Sequence, residues 1–328
     1  MFTIPRVALV FDPPGPEFAI TAEAQMPTIR VMAELQTVGA AAPPIARCDW
    51  TVILTFNGGN CKHSRNRRID HPVINARTSG NIFTIPFTQV RGGDLTVEVT
   101  IGFGDWMGTS VVTERSRGLK IVGTNPTTAA LSREAIMKDC FKRLMRHESG
   151  LRQFNPAACP YFSQDNKGGV GLCQVTVPAP TDDQVWSWKE NLKRGLEIWR
   201  DKETEARGYP GRMRKRKLFT DLVADYNQER VKASLAPLTI RLPDFTPDQV
   251  ERATIRLFNG APEVYEYQVR MNGNKLFVNV DATGTTGTAE WEQVTAAMRT
   301  AIYDNVGKDK DKRGDPDYVE NVYRKPSF

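Results

Sequence analysis

A change of hydrophobic period near residue 125 constrains this chain more than any other feature of its sequence. Before that point apolar residues tend to alternate with polar ones, and after it they recur every three or four positions. A repeat of two suits a strand with one buried face, whereas a repeat near 3.6 suits a helix. One uniform architecture cannot satisfy both halves. Residues 20 to 125 carry the segments DWTVILTF, GNIFTIPFTQV, DLTVEVTI and GTSVVTE, rich in β-branched and aromatic residues. Turn residues such as Asn57-Gly58-Gly59 and Arg91-Gly92-Gly93 separate them, as expected between antiparallel strands.

The β half predicts an antiparallel β-sandwich of immunoglobulin-like type. No constellation of reactive side chains stands out in it, which suits a docking or targeting module. Gly123-Thr124-Asn125-Pro126-Thr127 looks like a linker. A length of 328 residues exceeds one ordinary core. The expected organisation is therefore α+β and multidomain, a β domain over 1–125 and a mainly α domain over 126–328.

In the second half Ser132 is a candidate N-cap for a helix running through residue 148. Thr181 with Gln184 and Thr246 with Gln249 have capping-box spacing, and Pro247 suits a first helical position. Leu192, Gly195, Leu196 and Trp199 form one apolar stripe, and Val250, Ala253, Thr254 and Leu257 another. Residues 263–281 alternate as strands around Asn272-Gly273, a hairpin signal. Helix is expected again from Ala289 to Tyr303, followed by an exposed loop at KDKDKRGD.

Composition excludes some classes. Apolar residues are 40% and charged residues 25%, and no apolar run approaches the roughly 20 residues that cross a bilayer. The stretch Val7 to Phe11 is broken by Asp12, Pro13 and Pro14, shorter than the about 7–15 apolar residues of a secretory signal. A net charge of +6 is a weak bias towards polyanions. Five cysteines cannot all pair within the chain. Cys48 and Cys61 bracket a strand and turn and are candidates to pair in an oxidising compartment. Three histidines and no CxxC argue against a zinc site, so neither metal nor cofactor is expected.

The strongest chemical signal is Glu148. With residues 132–148 turned about 100° each, Ile136, Met137, Cys140, Phe141, Leu144 and Met145 fill one face. Lys138, Asp139, Lys142 and Arg146 fill the other, and Glu148 falls near the middle of the apolar arc. A carboxyl in that position loses hydration of its charged form, which favours the protonated acid. The negative end of the helix dipole acts in the same direction.

His147-Glu148-Ser149-Gly150 resembles the Glu-Ser motif of soluble lytic transglycosylases and goose-type lysozymes. Gly169-Val170-Gly171-Leu172-Cys173-Gln174-Val175 resembles their Gly-Leu-Met-Gln motif, with Cys173 in place of methionine. Asn191-Leu192-Lys193-Arg194-Gly195 resembles their Asn-Ile-x-x-Gly helix start. Two segments compete for the Ala-Tyr-Asn motif. Ala224-Asp225-Tyr226-Asn227 keeps the tyrosine, whereas Leu257-Phe258-Asn259-Gly260 keeps the Asn-Gly after a well-formed helix and is preferred. Asp317-Tyr318-Val319-Glu320-Asn321-Val322 resembles the closing Tyr-Val-x-x-Val segment. The resemblance spans about 130–325, omits the β half, and leaves a basic stretch at 203–220 and the 263–281 hairpin as insertions in a lysozyme-like domain.

The resemblance implies cleavage of peptidoglycan between N-acetylmuramic acid and N-acetylglucosamine, with formation of a 1,6-anhydro ring. Glu148 would be the sole acid/base. Ser149 would orient the carboxyl or touch substrate, and Gln174 would bond an acetamido group. Asn259 and Tyr318 would hold the glutamate, with Phe258 or Tyr226 beside it. Asp165 stands where goose-type lysozymes carry an aspartate, and with Glu148 it would make an inverting hydrolase if the two lay roughly 6.5–9.5 Å apart. The other class is a noncatalytic glycan-binding component of a phage tail or secretion machine. The basic run Arg212, Arg214, Lys215, Arg216, Lys217 suits a solvated face or an anionic envelope polymer; it lacks the interleaved aromatics of a nucleic-acid site. With no export signal read, delivery is expected through a type VI secretion machine, as an antibacterial effector toxin with a cognate immunity protein, or as a phage lysin.

Overall fold

The computed structural model describes residues 6–37, 44–61, 63, 67–105, 108–134, 137–164, 168–259, 265–305 and 315–328. The chain is mixed α+β: sheets over about 6–122, helices over about 128–258, and small sheets beyond. Two compact units divide it. One holds 1–136 with 148–195 and Phe328, and the other holds 137–147 with 196–327.

The first unit begins with ten strands. They are β1 (Arg6–Asp12), β2 (Glu17–Ala19), β3 (Arg30–Gln36), β4 (Ile45–Asn57), β5 (Arg68–Asp70), β6 (Ile74–Thr78), β7 (Ile82–Thr84), β8 (Gly93–Asp105), β9 (Gly108–Arg115) and β10 (Leu119–Val122). β1, β3 and β7 make one sheet; the others make a second, built on the long β4–β8 pair. The alternation read from the sequence is the alternation of burial. Cys48, Trp50, Val52, Leu54 and Phe56 of β4 and Leu95, Val97, Val99 and Ile101 of β8 face one core. Trp50 stacks on Phe83 of the other sheet with centroids 5.4 Å apart. The pairing is not wholly antiparallel, because β10 runs parallel to β2.

The same core continues beyond the strands. Phe154, Phe162, Val170, Val185 and Trp186 belong to it. A Cβ at Gly92 would lie 2.2 Å from the Trp186 ring, and one at Gly123 would lie 2.1 Å from Phe154. Bare backbone at these two positions lets the rings close onto the sheet. Trp188 Nε1 donates to the Ala22 carbonyl at 2.9 Å, and Arg91 pairs with Asp183.

The helices are α1 (Thr128–Arg133), α2 (Asp139–Ser149), α3 (Asp182–Trp186), α4 (Trp188–Arg214), α5 (Lys217–Lys232), α6 (Pro247–Phe258), α7 (Ala296–Asn305) and α8 (Tyr318–Tyr323). Both capping boxes form: Thr181 on α3 with Gln184, and Thr246 on α6 with Gln249, and Pro247 opens α6. Ser132 caps nothing, because it lies inside α1, whose N-cap is Thr127. One expected helix is thus two.

In the second unit Val250, Ala253 and Leu257 of α6 pack with Ala206 of α4. Seven short strands complete it: β11 (Thr239–Arg241), β12 (Tyr267–Val269), β13 (Met271–Asn272), β14 (Lys275–Leu276), β15 (Val278–Val280), β16 (Thr286–Ala289) and β17 (Trp291–Gln293). The β13–β14 hairpin turns through Gly273, at φ +63, and Asn274. The helix expected from Ala289 begins only at Ala296. Residues 286–289 pair with β15 and β11, and 291–293 with β12. Alternating burial at Gly287 and Ala289 makes that stretch strand. The basic run lies at the α4–α5 turn, where Arg214 pairs with Asp244 and Lys217 with Asp221.

Candidate active site

α2 carries Asp139 in its first turn and Arg146 in its last, charges that oppose the helix dipole at each end. Gly150 at φ +65 then stops it. Cys140, Phe141, Leu144 and Met145 are its buried face. Glu148 follows Phe141 by seven residues, Leu144 by four and Met145 by three, so it shares that face. It sits in the last helical turn and is half-buried. Of the face expected from the sequence, Met137 is buried but precedes the helix, and Ile136 lies outside the described residues.

The next residue fastens the helix to the glycine-containing loop. Ser149 Oγ donates to the Leu172 carbonyl at 2.8 Å and accepts from Arg152 N at 3.2 Å. Ser149 thus ties two motifs that lie more than twenty residues apart. Cys173, beside Leu172, is buried. Burial, and then the nearby charge of Glu148, push its thiol up. Glu148 and the loop both lie in the first unit.

Two buried amides shape that loop. Gln153 Oε1 accepts from Leu172 N at 3.1 Å, while its Nε2 donates to the carbonyls of Gln184 at 3.0 Å and Val185 at 2.8 Å. Asn191 Oδ1 accepts from Cys173 N at 2.9 Å, and its Nδ2 donates to Val170 O at 2.9 Å and Gln184 O at 3.0 Å. Gly171, at φ +72, lies between them; a Cβ there would sit 2.4 Å from Gln153 Oε1 and 2.7 Å from Asn191 Nδ2. Gln174 Nε2 donates to Gly171 O at 2.8 Å, so one end of this amide caps the turn. Asn125, read as linker, accepts from Gln153 N and Phe154 N at 2.8 Å each.

A disulfide anchors the same stretch. Cys61 pairs with Cys159, not with Cys48. From Cys48 the chain runs extended to Asn57, roughly 30 Å at about 3.3 Å per residue, far beyond the reach of a disulfide. Cys48 is instead buried inside β4.

Asn259, Phe258 and Tyr318 lie in the second unit. Asn259 is the C-cap of α6, and its buried Nδ2 has no partner among the described residues. Phe258 beside it is half-buried. Tyr318 opens α8, is buried, and meets the His147 ring edge-on at 5.0 Å. Burial, reinforced by Lys325 and opposed by Asp315, depresses the His147 pKa. α8 packs on α6, where Tyr323 Oη donates to Glu251 at 2.7 Å. Burial and then Glu251 raise the Cys140 thiol on α2 to about 12.

A charge cluster fixes the start of α8. Buried Glu266 meets Arg252 at 3.3 Å, Arg256 at 3.3 Å and Arg299 at 2.5 Å. Arg256 also donates to the carbonyls of Asp315 at 2.7 Å and Pro316 at 3.0 Å, and Arg299 to Pro316 at 2.8 Å. Tyr226 is placed elsewhere, on α5 against the Phe219 and Leu242 cluster. Its neighbour Asn227 is engaged at both ends by Leu238, at 3.0 and 2.8 Å. Asp165 lies outside the described residues.

No protein-family model, curated protein or solved structure matches this chain. Among the described residues no group of His, Cys, Asp and Glu could hold a metal ion, and no helix is long and apolar enough to cross a membrane. Gln153, Asn125 and Glu266 are the positioning residues that sequence reasoning does not find. Gln153 carries no motif, Asn125 looks like linker, and Glu266 falls in the stretch that reads as a hairpin insertion. Asn191 lies within the Asn-Leu-Lys-Arg-Gly segment singled out from the sequence, and that segment is its signal.

Proposed function

We propose that this protein cleaves the glycan strands of peptidoglycan as a lytic transglycosylase, with Glu148 as its acid and base. The observation that carries the reading is convergence. The Glu-Ser pair at the end of α2 and the Gly171–Gln174 turn are joined by the Ser149–Leu172 bond, and the Glu148 charge acts on the Cys173 thiol. In this mechanism the Glu148 carboxyl protonates the oxygen linking N-acetylmuramic acid to N-acetylglucosamine. It then takes the proton of the muramic C6 hydroxyl as that oxygen closes on C1, leaving the glutamate as it began. Water does not enter the products.

The immunoglobulin-like character of residues 1–125 and the lysozyme-like character of 126–328 belong to the same proposal. So does action in the cell wall or periplasm, as an effector of a contractile secretion machine or a phage lysin. The Cys61–Cys159 disulfide supports an oxidising destination. In such a protein the β region would dock to the delivery machine. Through the core it shares with Phe154, Phe162 and Val170 it would also brace the turn.

The test is digestion of purified sacculi followed by mass spectrometry of the muropeptides. The wild-type chain is expected to release 1,6-anhydro ends. Glu148→Gln is expected to be slower by roughly 10²–10⁴-fold, the usual contribution of general acid–base catalysis. Reducing ends would assign hydrolysis, and clearance by Glu148→Gln at the wild-type rate would remove the catalytic reading altogether.

A further inference from the structure

The second unit contains a groove that the proposed chemistry does not use. It lies between the C-terminal half of α5, the turn after it, and the β13–β14 hairpin, with a volume of about 760 Å³. That is within the range of sites that take small ligands. Two half-buried aromatic rings, Tyr226 and Phe277, line it. Arg270 sits 4.2 Å from the Phe277 ring centroid. Exposed amides of Gln228, Asn272 and Asn274 form part of the rim and make no side-chain hydrogen bond among the described residues.

The charges are unequal. Lys232 and Lys275 share the single carboxylate of Glu229, at 2.9 and 3.2 Å. Both ion pairs hold that carboxyl below its usual range. Counting Asp225 and Arg230 as well, three cations line the groove against two carboxylates.

Aromatic rings take the apolar C–H face of a pyranose, amides match acetamido and hydroxyl groups, and surplus positive charge suits carboxylates. We infer that this groove is a second, noncatalytic binding site for an N-acetylated glycan strand bearing carboxylates. The inference rests on the cell-wall reading above. On this inference the 263–281 insertion serves to retain the protein on the polymer between cuts. Free lysine donors and exposed amides without aromatic rings would suit a generic anion, but two rings lining one groove favour a sugar.

The experiment uses the full chain carrying Glu148→Gln, so that binding is measured without turnover, on sacculi and on chitin beads. Asn274→Ala and Phe277→Ala are each expected to weaken retention on both by about tenfold, the equivalent of one aromatic or hydrogen-bonding contact. Lys275→Glu is expected to weaken retention on sacculi more than on neutral chitin. Circular dichroism checks folding; Asn274 and Lys275 are exposed, so their variants carry the test if Phe277→Ala unfolds. Retention of all three variants at the parent level overturns the groove while leaving Glu148 chemistry intact. Loss of retention in these variants, together with no muropeptide release by the chain that keeps Glu148, keeps the groove and overturns the cleavage reading.

Discussion

Two stretches of this molecule are held in place by opposite means. Residues 150–191 are shaped by neutral amides: Asn125, Gln153 and Asn191 each bond backbone groups that no strand or helix satisfies. Residues 315–323 are held by charge, with Arg256 and Arg299 bridging Glu266 to the Asp315 and Pro316 carbonyls. An amide clamp fixes geometry through direction, and neither salt nor pH alters it. A buried charge cluster fixes position strongly, yet each member depends on the others to offset its desolvation. The proposed acid stands at the amide-held stretch. Tyr318 stands at the charge-held one.

Glu266→Ala should break the comparison most severely. It leaves Arg256 and Arg299 buried without their carboxylate, and the loss of one partner of such a cluster costs about 3–5 kcal/mol. Urea unfolding measures it. Replacing Glu266 and Arg256 together with apolar residues should cost less than Glu266→Ala alone; equal costs would mean that charge is not what holds this segment.

Gln153→Ala should cost somewhat less, about 2–4 kcal/mol: it orphans the Leu172 amide and the Val185 carbonyl, each within the about 1–3 kcal/mol of a group left unsatisfied, while Asn191 still bonds the Gln184 carbonyl. The deficit should be the same in low and high salt. A deficit that salt relieves would show that the clamp is not neutral in effect.

The smallest effect is a pH dependence. Burial lowers the pKa of His147 in the second unit from 6.5. Burial likewise lowers His71 in the first, where Arg91 acts in the same direction and the Gly92 carbonyl, Asp182 and Asp70 oppose. Each ring is therefore neutral in the fold at a pH where the unfolded chain begins to take up a proton. Their contribution is complete above 6.5 and is lost as pH falls through the depressed folded value. His147→Gln and His71→Gln should each flatten the decline in stability between pH 7.5 and 5.5. An unchanged slope in both would place the acid sensitivity elsewhere.

The helical face of Glu148 is legible because a helix repeats its own neighbours, and Leu144 and Met145 lie beside that residue in any α-helix. The helix start is not legible at Ser132, since Thr127 is an equally good cap and the break after Arg133 leaves no strong local mark. Residues 286–293 alternate polar side chains with Gly287, Ala289 and Trp291, a repeat too short and too weakly apolar to stand out from the helix expected from Ala289; pairing with β11, β12 and β15 decides for strand.

What the sequence determined by itself is local: the alternation of β4 and β8, the capping boxes at Thr181 and Thr246, the Gly273 turn, and the side of α2 on which Glu148 stands. These follow from hydrogen bonds and side-chain repeats inside one segment. Only the tertiary structure decided that Cys61 finds Cys159, that Gln153 and Asn191 close on Gly171, and that one glutamate gathers three arginines. A cysteine, an amide or a carboxylate has the same local preferences whether or not a partner waits elsewhere in the chain. Burial, which removes water as the alternative partner, makes the choice.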